Sequence, residues 1–212
     1  MQLTKFTHSC VRLDDGDRSV VIDPGVFSEV DAALDGAGAV LITHEHIDHL
    51  DVERVRAALD RNSRLRLFAP ASVTAAWANL GEQVVAVLPG GTFDAAGFTV
   101  TTHGGQHAVI HPMIPVIANV GYLIDGVYHP GDSFAVPSEP VSTLLLPTNA
   151  PWSKASEVID FAVSVRAPRV HQIHDSLITD IYANIVEGQL AAIAGPHGVQ
   201  LQHLKPTETV TV

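Results

Sequence analysis

The stretch that decides the fold is Thr43-His44-Glu45-His46-Ile47-Asp48-His49. It follows Ala39-Val40-Leu41-Ile42, a fully apolar run that is typical of a strand covered on both faces. Residues two apart on an α-helix point about 200° away from each other, so His44 and His46 can approach the same ion only from a loop. An aspartate and a third histidine follow within the same loop. The sequence therefore predicts a metal-binding loop at the end of a buried strand.

The donor types limit which metal this loop can hold. Imidazole and carboxylate groups suit zinc, manganese or iron(II). Cys10 is the only cysteine, so the chain offers neither a thiolate cluster nor an internal disulfide, and it fits a reducing compartment. Donors at such close spacing could serve one ion or be divided between two.

Further candidate ligands lie downstream. The chain contains 12 histidines, and most of them lie in short patches far apart in the sequence. The downstream candidates are His107 in Gly104-Gly105-Gln106-His107, Asp132 in His129-Pro130-Gly131-Asp132-Ser133, and His174 in His171-Gln172-Ile173-His174-Asp175. In this order and spacing, the His-x-His-x-Asp-His loop and the downstream residues resemble the metallo-β-lactamase superfamily.

The resemblance implies a fold and a ligand set. It implies an α/β (α+β) chain that is folded as a four-layer αββα sandwich. The motifs run from His44 to His174, and the rhythm of strands and helices extends the match to nearly the whole chain. Carried over position by position, the ligands are His44, His46 and His107 for a first metal, Asp48, His49 and His174 for a second, and Asp132 between the two.

Two short stretches near the start indicate a branch of this superfamily. They are Thr7-His8-Ser9-Cys10 and Asp23-Pro24. With them the chain is most similar to the compact branch that includes ascorbate-phosphate lactonase. An early Gly-His is usual in that branch, and Thr7 replaces the glycine here.

The resemblance also implies a reaction. Two divalent ions, Zn²⁺ in the first place with Mn²⁺ or Fe²⁺ as alternatives, can hold a hydroxide at neutral pH, orient it, and polarise a carbonyl or phosphoryl oxygen. Asp48 and Asp132 are the expected catalytic residues, and Asp132 would bridge the ions and help aim the nucleophile. We therefore predict a dinuclear metal-dependent hydrolase of a small-molecule lactone, ester or phosphodiester.

Three residues are candidates for contacts around the ligand set. Asp23 could accept a hydrogen bond from a ligand imidazole and fix its tautomer, and His8 could support the site in the same way. His111 precedes Pro112-Met113-Ile114-Pro115, a loop that could cover the pocket and bring this histidine to the substrate. The residues whose roles the sequence leaves open are His103, His171 and Trp152.

The composition is that of a compact globular chain. With 212 residues, 46% hydrophobic and 17% charged, we expect residues 1–212 to form a single domain. The formal net charge of −11 disfavours nucleic acid and anionic membranes as partners. No apolar run approaches the roughly 18 residues of a membrane span. We expect a cytoplasmic protein with a small-molecule substrate, and a homo-oligomer stays open.

Other function classes also stay open. A mononuclear iron enzyme of oxygen chemistry is less well supported, because donors for a second metal are present. A metal-binding module could keep the ligands and lack turnover. A nuclease is disfavoured, because the arginines between Arg54 and Arg66 alternate with acidic residues and fit a solvated helix face.

Local patterns predict the elements around the loop. The early strands are predicted over Thr4–Leu13, Ser19–Ile22, Arg66–Ala69 and Val84–Leu88. The later strands are predicted over Phe98–Thr102, Ala118–Ile124, Val127–His129, Thr143–Leu146 and Arg169–Ile173. Helices are predicted over Asp51–Leu59, Pro70–Leu80, Ser153–Val165 and Leu177–Ala194. All the histidine patches are expected in connecting loops.

Overall fold

The first sheet is built mainly from the N-terminal part of the chain. The computed structural model describes residues 1–212. The strands of this sheet are β1 (Gln2–Lys5), β2 (Val11–Asp15), β3 (Arg18–Ile22), β4 (Ala39–Leu41), β5 (Arg66–Ala69), β6 (Val84–Ala86) and β14 (Thr209–Thr211). They lie in the order β14-β1-β2-β3-β4-β5-β6, antiparallel from β14 to β3 and parallel from β3 to β6.

The second sheet also has seven strands and the same division into a parallel and an antiparallel part. Its strands are β7 (Thr92–Ala95), β8 (Phe98–Gly104), β9 (Val120–Ile124), β10 (Val127–His129), β11 (Thr143–Pro147), β12 (Arg169–Ile173) and β13 (Gln200–Leu201). They lie in the order β13-β12-β11-β10-β9-β8-β7, parallel from β13 to β10 and antiparallel from β10 to β7. Both sheets are therefore mixed.

Side chains alternate between a central core and two outer cores. In β3, Val20 and Ile22 pack in the core between the sheets, and Val21 packs on the opposite face under the helices. In β11, Leu145 points into the central core while its two leucine neighbours point outward. A strand covered on both faces reads as a continuous apolar run, which explains the sequence of both strands.

Helices cover the outer face of each sheet. The helices are α1 (Val30–Leu34), α2 (Val52–Arg61), α3 (Ala71–Thr74), α4 (Ala155–Val165) and α5 (Asp180–Ile193), with 3₁₀ segments at Ala75–Gln83 and Gly195–His197. The first three share an apolar cluster with the first sheet, and α4 and α5 share one with the second. The predicted four-layer αββα sandwich is confirmed.

The predicted strand over Thr4–Leu13 is wrong as a single element. The structure ends β1 at Lys5 and begins β2 at Val11, and the intervening loop is closed by the bond from Phe6 N to Cys10 O, 2.8 Å. Glu29 holds this loop, because its carboxylate accepts from both the backbone N–H and the hydroxyl of Thr7. These partners are distant in sequence, so local alternation could not reveal the turn.

Other differences arise at element ends. The predicted helix over Pro70–Leu80 becomes one α-helical turn and a 3₁₀ segment that is broken at Trp77 and Gly81. The helix predicted from Leu177 begins at Asp180, because the Thr179 side chain caps its first turn. The short strands β7, β13 and β14 were not predicted. No helix of the chain combines the length and the apolar character that crossing a bilayer requires.

Tyr122 links the two sheets by a hydrogen bond whose loss should be measurable. Its buried hydroxyl donates to the backbone oxygens of Ile42, at 2.8 Å, and Phe68, at 3.3 Å, in the opposite sheet. We expect Tyr122→Phe to lower the free energy of unfolding by about 1–2 kcal/mol, because a buried carbonyl loses a donor. Urea denaturation measures this, and Tyr182→Phe, on the surface of α5, is the control that should change nothing.

Candidate metal centre

The candidate site lies where several strands end. The loops after β4, β8, β10 and β12 carry His44 to His49, His107, Asp132 and His174, and the loops after β1 and β3 add His8 and Asp23. Carboxyl ends of parallel strands commonly carry the chemistry of a sheet, because loops there converge while the strands stay rigid. The structure brings together all seven ligands that the resemblance implies.

One group of donors consists of His44, His46, His107 and Asp132, whose ligand atoms all lie within 4.8 Å of one another. The Nε2 atom of His44 is 3.1 Å from Nδ1 of His46. The Nε2 atom of His107 is 3.3 Å from Oδ2 of Asp132. Three imidazole nitrogens and one carboxylate oxygen thus face a common point.

A second group consists of His8, Asp48, His49 and His174, again within 4.8 Å. Oδ2 of Asp48 is 3.2 Å from Nε2 of His8, 3.5 Å from Nε2 of His174 and 3.9 Å from Nε2 of His49. His8 therefore lies among the donors themselves, closer to the centre than the supporting position that the sequence suggested.

Asp132 joins the two groups. Its Oδ2 faces His107 of the first group and lies 3.2 Å from Nε2 of His174 in the second, while its Oδ1 lies 3.1 Å from Nε2 of His49. The indole N–H of Trp152 donates to the same Oδ2 at 2.9 Å. This contact gives Trp152 a place in the site that the sequence left open.

The outward nitrogens of the imidazoles are held by the protein. Nδ1 of His107 donates to the Ala108 carbonyl at 2.6 Å, and Nδ1 of His174 donates to the Asn149 carbonyl at 2.7 Å. Because a carbonyl can only accept, Nδ1 of each ring carries a proton, and Nε2 is the atom that faces into the site. Such outer partners are typical of metal-binding histidines.

Asp23 holds two further rings, those of His49 and His44. Its Oδ2 accepts from Nδ1 of His49 at 2.7 Å and from the hydroxyl of Thr43 at 2.6 Å, and that hydroxyl accepts from Nδ1 of His44 at 2.9 Å. Its Oδ1 accepts from the Thr43 backbone N–H at 2.7 Å. This is the contact with a ligand imidazole that the sequence predicted for Asp23.

Unpartnered buried atoms test whether a metal fits. Nε2 of His49, Nε2 of His107 and Oδ1 of Asp132 are buried and form no hydrogen bond of normal geometry, although the imidazole and carboxylate atoms lie only 3.1–3.3 Å apart. Leaving such atoms unsatisfied costs about 1–3 kcal/mol each, and more for a charged group. Nitrogen and carboxylate donors of this kind suit borderline divalent cations. The residues present therefore fit two divalent ions, one in each group.

The pKa shifts show how strongly the carboxylates act on the site. Burial lowers the pKa of His49, but the carboxylates of Asp132 and Asp23 outweigh burial and raise it well above its usual value. Burial raises the pKa of Asp132, yet the surrounding histidines, His49 foremost, hold it well below its usual range. For His174, burial is outweighed by hydrogen bonds to carboxylates, that of Asp132 first, which raise its pKa to about 9. The carboxylates of Asp132 and Asp23 thus stabilise positive charge at His49, and those of Asp132 and Asp48 do so at His174.

The backbone at the site is held in uncommon conformations. His8, Asp23 and His174 have φ values of 66°, 51° and 56°, in the left-handed region that residues with a Cβ rarely adopt. Gly25 packs against the metal-binding loop so closely that a Cβ there would lie 1.9 Å from the backbone oxygen of Asp48. Strain of this kind is maintained only where the surrounding structure determines it.

The other histidines lie outside the centre. His111 is exposed, and its Nδ1 accepts from the backbone N–H of Met113 in its own loop. The expectation that every histidine patch lies in a loop is wrong for His103, which belongs to β8, whereas His129 and His171 lie in β10 and β12, as the predicted strands Val127–His129 and Arg169–Ile173 require. His171 donates to the Gln202 carbonyl at 3.0 Å, and His103 faces Glu139 at 3.4 Å, because strand alternation turns them away from the centre.

Two polar residues near the centre were missed. The Ser176 hydroxyl lies 2.8 Å from Nδ1 of His8, and Oδ1 of Asn119 accepts from the backbone N–H of Asp132 at 2.9 Å. Neither stands in a recognisable motif, and only the folded chain brings them to their partners. The sole local hint is that Ser176 closely follows His174.

Similarity to known proteins agrees with this geometry. The beta-lactamase superfamily domain matches residues 2–174. Protein Rv0786c of Mycobacterium tuberculosis is 40% identical over 196 residues, which are 90% of this chain and 91% of that protein. A UPF0173 metal-dependent hydrolase of Xanthobacter autotrophicus is 34% identical over 125 residues, which are 54% of this chain and 51% of that protein.

The fold also recurs among solved structures. Igni18, described as a novel metallo hydrolase from the hyperthermophilic archaeon Ignicoccus hospitalis, matches with a TM-score of 0.76. The match covers 99% of this chain and 97% of that chain at 20% sequence identity. At this identity the likeness shows a shared fold.

Metal content should follow the two groups. We expect about two equivalents of divalent metal in the wild-type protein and about one in each of the variants His107→Ala and His174→Ala, because each removes a donor from one group only. Elemental analysis after loading measures this, with His103→Ala as the control that keeps about two. No metal in the wild type after loading with zinc or manganese would contradict the assignment.

Gly25 packs against the backbone of Asp48 and His49, so a side chain there should disturb metal binding. We expect Gly25→Ala to displace the loop that carries Asp48 and His49, and so to lower metal content by about one equivalent, because the added Cβ would overlap backbone atoms. Gly188→Ala is the matched control: α5 has open space around Gly188, and the change should stabilise the helix by about 1 kcal/mol. Elemental analysis and thermal unfolding compare the pair, and full metal content in Gly25→Ala would argue against this packing.

Proposed function

Since the chain belongs to the family of the beta-lactamase superfamily domain, we propose that it is a metal-dependent hydrolase. The bond that it hydrolyses is a lactone, ester or phosphodiester bond of a small molecule. The observation that carries the proposal is the position of Asp132, whose two carboxylate oxygens face donors of both groups. A shared carboxylate is what a two-metal centre needs to hold its ions near each other.

The protein's own residues prepare this centre. Two bound divalent ions would supply Lewis acidity and lower the pKa of a water molecule at the site. Two hydrogen bonds position Asp132. The indole N–H of Trp152 donates to its carboxylate, and its own backbone N–H donates to the side-chain oxygen of Asn119. The rings of His107 and His174 are oriented by the carbonyls behind them.

The substrate would approach from the side of His46 and Asp48. These two residues are partly exposed, whereas His44, His49, His107 and the other donors are buried. A bond to be cleaved can therefore reach the centre from this face while the remaining donors stay shielded from water. This supports a reaction on a small molecule that enters the mouth of the site.

We also propose the identity of the ion and the kind of substrate. Zn²⁺ is the proposed ion, and Mn²⁺ and Fe²⁺ suit the same donors. The branch that includes ascorbate-phosphate lactonase stays a prediction, as does a cytoplasmic location. The net charge of −11 supports a small-molecule substrate over nucleic acid.

The proposal predicts metal-dependent turnover that Asp132 controls. We expect a chelator to abolish hydrolysis of simple aryl esters, lactones or bis-aryl phosphodiesters, and added Zn²⁺ or Mn²⁺ to restore it. Asp132→Asn should lower kcat at least about 100-fold, because an amide cannot replace the shared carboxylate. Steady-state kinetics measure both effects, and Asp60→Asn on the exposed face of α2 is the control that keeps full activity.

Other outcomes would identify the alternatives. Two bound metals without turnover of any of these substrates would favour a metal-binding module. One equivalent of iron with oxygen consumption would favour oxygen chemistry. Tight, strongly salt-dependent RNA binding would favour a nuclease.

A further inference from the structure

Exposed apolar side chains are concentrated next to the candidate centre. The chain exposes 15 large hydrophobic residues. Of these, the ones on segments adjoining the centre are Val26, Phe27, Ile47, Val109, Met113, Ile114, Val116 and Leu177. We call this set the apolar rim. Exposed apolar side chains on segments around a site are typical of a ligand-binding or interaction surface.

Two parts of the apolar rim lie at the metal-binding loop. One is Ile47 within the loop, and the other is Val26 and Phe27 in the segment that follows β3. Ile47 stands between the donors His46 and Asp48, and its carbonyl accepts from the backbone N–H of Val26 at 2.9 Å. The ring of Phe27 meets the ring of His8 edge to face, with centroids 5.4 Å apart. These side chains therefore stand at the donors themselves.

The loop from Ala108 to Val116 forms another part. It is tied to the centre at its base, where Ala108 N donates to Asp132 O at 2.8 Å and His107 N donates to Ile117 O at 3.0 Å. Its tip projects from this base, and Met113 there is 84% exposed. The base of the loop is therefore fixed beside two ligand residues, His107 and Asp132, and its exposed apolar residues belong to a segment that adjoins the centre.

Leu177 provides the last part. It follows Ser176, whose hydroxyl lies 2.8 Å from Nδ1 of His8. The first turns of α5, which follow Leu177 in the chain, expose Ile181 and Ile185. The apolar rim thus borders the second group of donors as well as the first.

Positive side chains are absent from these segments. None of the 12 lysines and arginines lies in residues 24–29, 44–49, 104–117 or 174–178. Lys5, near His8 in sequence, is buried and occupied by Asp175 and the Phe6 carbonyl, each at 3.0 Å. Phosphate and carboxylate groups are usually recognised by such cations. Apart from the centre itself, these segments therefore offer no cationic partner to an anionic group of a substrate, and they suit a neutral one.

We infer that the hydrolysed substrate is a neutral ester or lactone with an extended apolar group, such as an acyl chain of six or more carbons, which lies on the apolar rim. This inference rests on the proposed function and narrows it. The apolar rim starts at the ligand residues, so an apolar group attached to the bond at the centre would reach it directly. If the apolar rim served to bind a lipid surface instead, its residues would not need to lie next to the metal-binding residues.

A chain-length series tests the inference. With metal-loaded protein and p-nitrophenyl esters from acetyl to decanoyl, we expect kcat/KM to rise about 3–4-fold per added methylene until the apolar rim is covered. In the double variant Ile47→Gln with Met113→Gln, the ratio of octanoyl to acetyl kcat/KM should fall at least 10-fold. The control Ile193→Gln removes another exposed apolar side chain at the far end of α5, 51% exposed, and should keep the wild-type ratio.

Binding without turnover separates the two proposals. The neutral fluorescent probe N-phenyl-1-naphthylamine should bind the metal-free protein, be displaced more effectively by octanol than by ethanol, and bind at least 5-fold more weakly to the double variant. This result without turnover of any ester would overturn the hydrolase and keep the apolar rim as a binding site. Turnover without chain-length dependence, or binding of the rim to phosphatidylcholine vesicles in place of alkyl ligands, would overturn the inference.

Discussion

The rest of the site depends on the buried carboxylate of Asp23. It is fully buried at the end of β3, where a charge without partners would be very costly. Its oxygens accept from the backbone and hydroxyl of Thr43 and from His49, which lie at the start and end of the metal-binding loop. These bonds fix the loop to the first sheet and orient two of its rings toward the centre. The fold and the chemistry therefore meet at one side chain.

A second constraint is that the two sheets must supply opposite sides of the same centre. The first sheet provides the metal-binding loop, and the second provides His107, Asp132 and His174. Asp132 acts across this boundary because it faces His49 of the first sheet and two histidines of the second. The left-handed backbone of His8, Asp23 and His174 is the conformational cost of this convergence.

Much of this arrangement could be predicted from the sequence, because the decisive donors are close together. The spacing of the donors from His44 to His49 is enough to predict a metal-binding loop, and the apolar run before it predicts a buried strand. His8 and Trp152 were harder, since their roles depend on a turn held by Glu29 and on a hydrogen bond to Asp132. The apolar rim was harder still. Its segments are short and separate in sequence, and although several adjoin a donor in the chain, only folding brings them to one centre.

The most direct test of this account is anomalous X-ray diffraction from crystals of the metal-loaded protein, measured at the absorption edge of the bound ion. The account predicts two peaks about 3.5–4 Å apart, one in each donor group, with the carboxylate of Asp132 between them. A single peak, or peaks remote from these histidines, would contradict the two-metal centre on which the proposed hydrolysis depends.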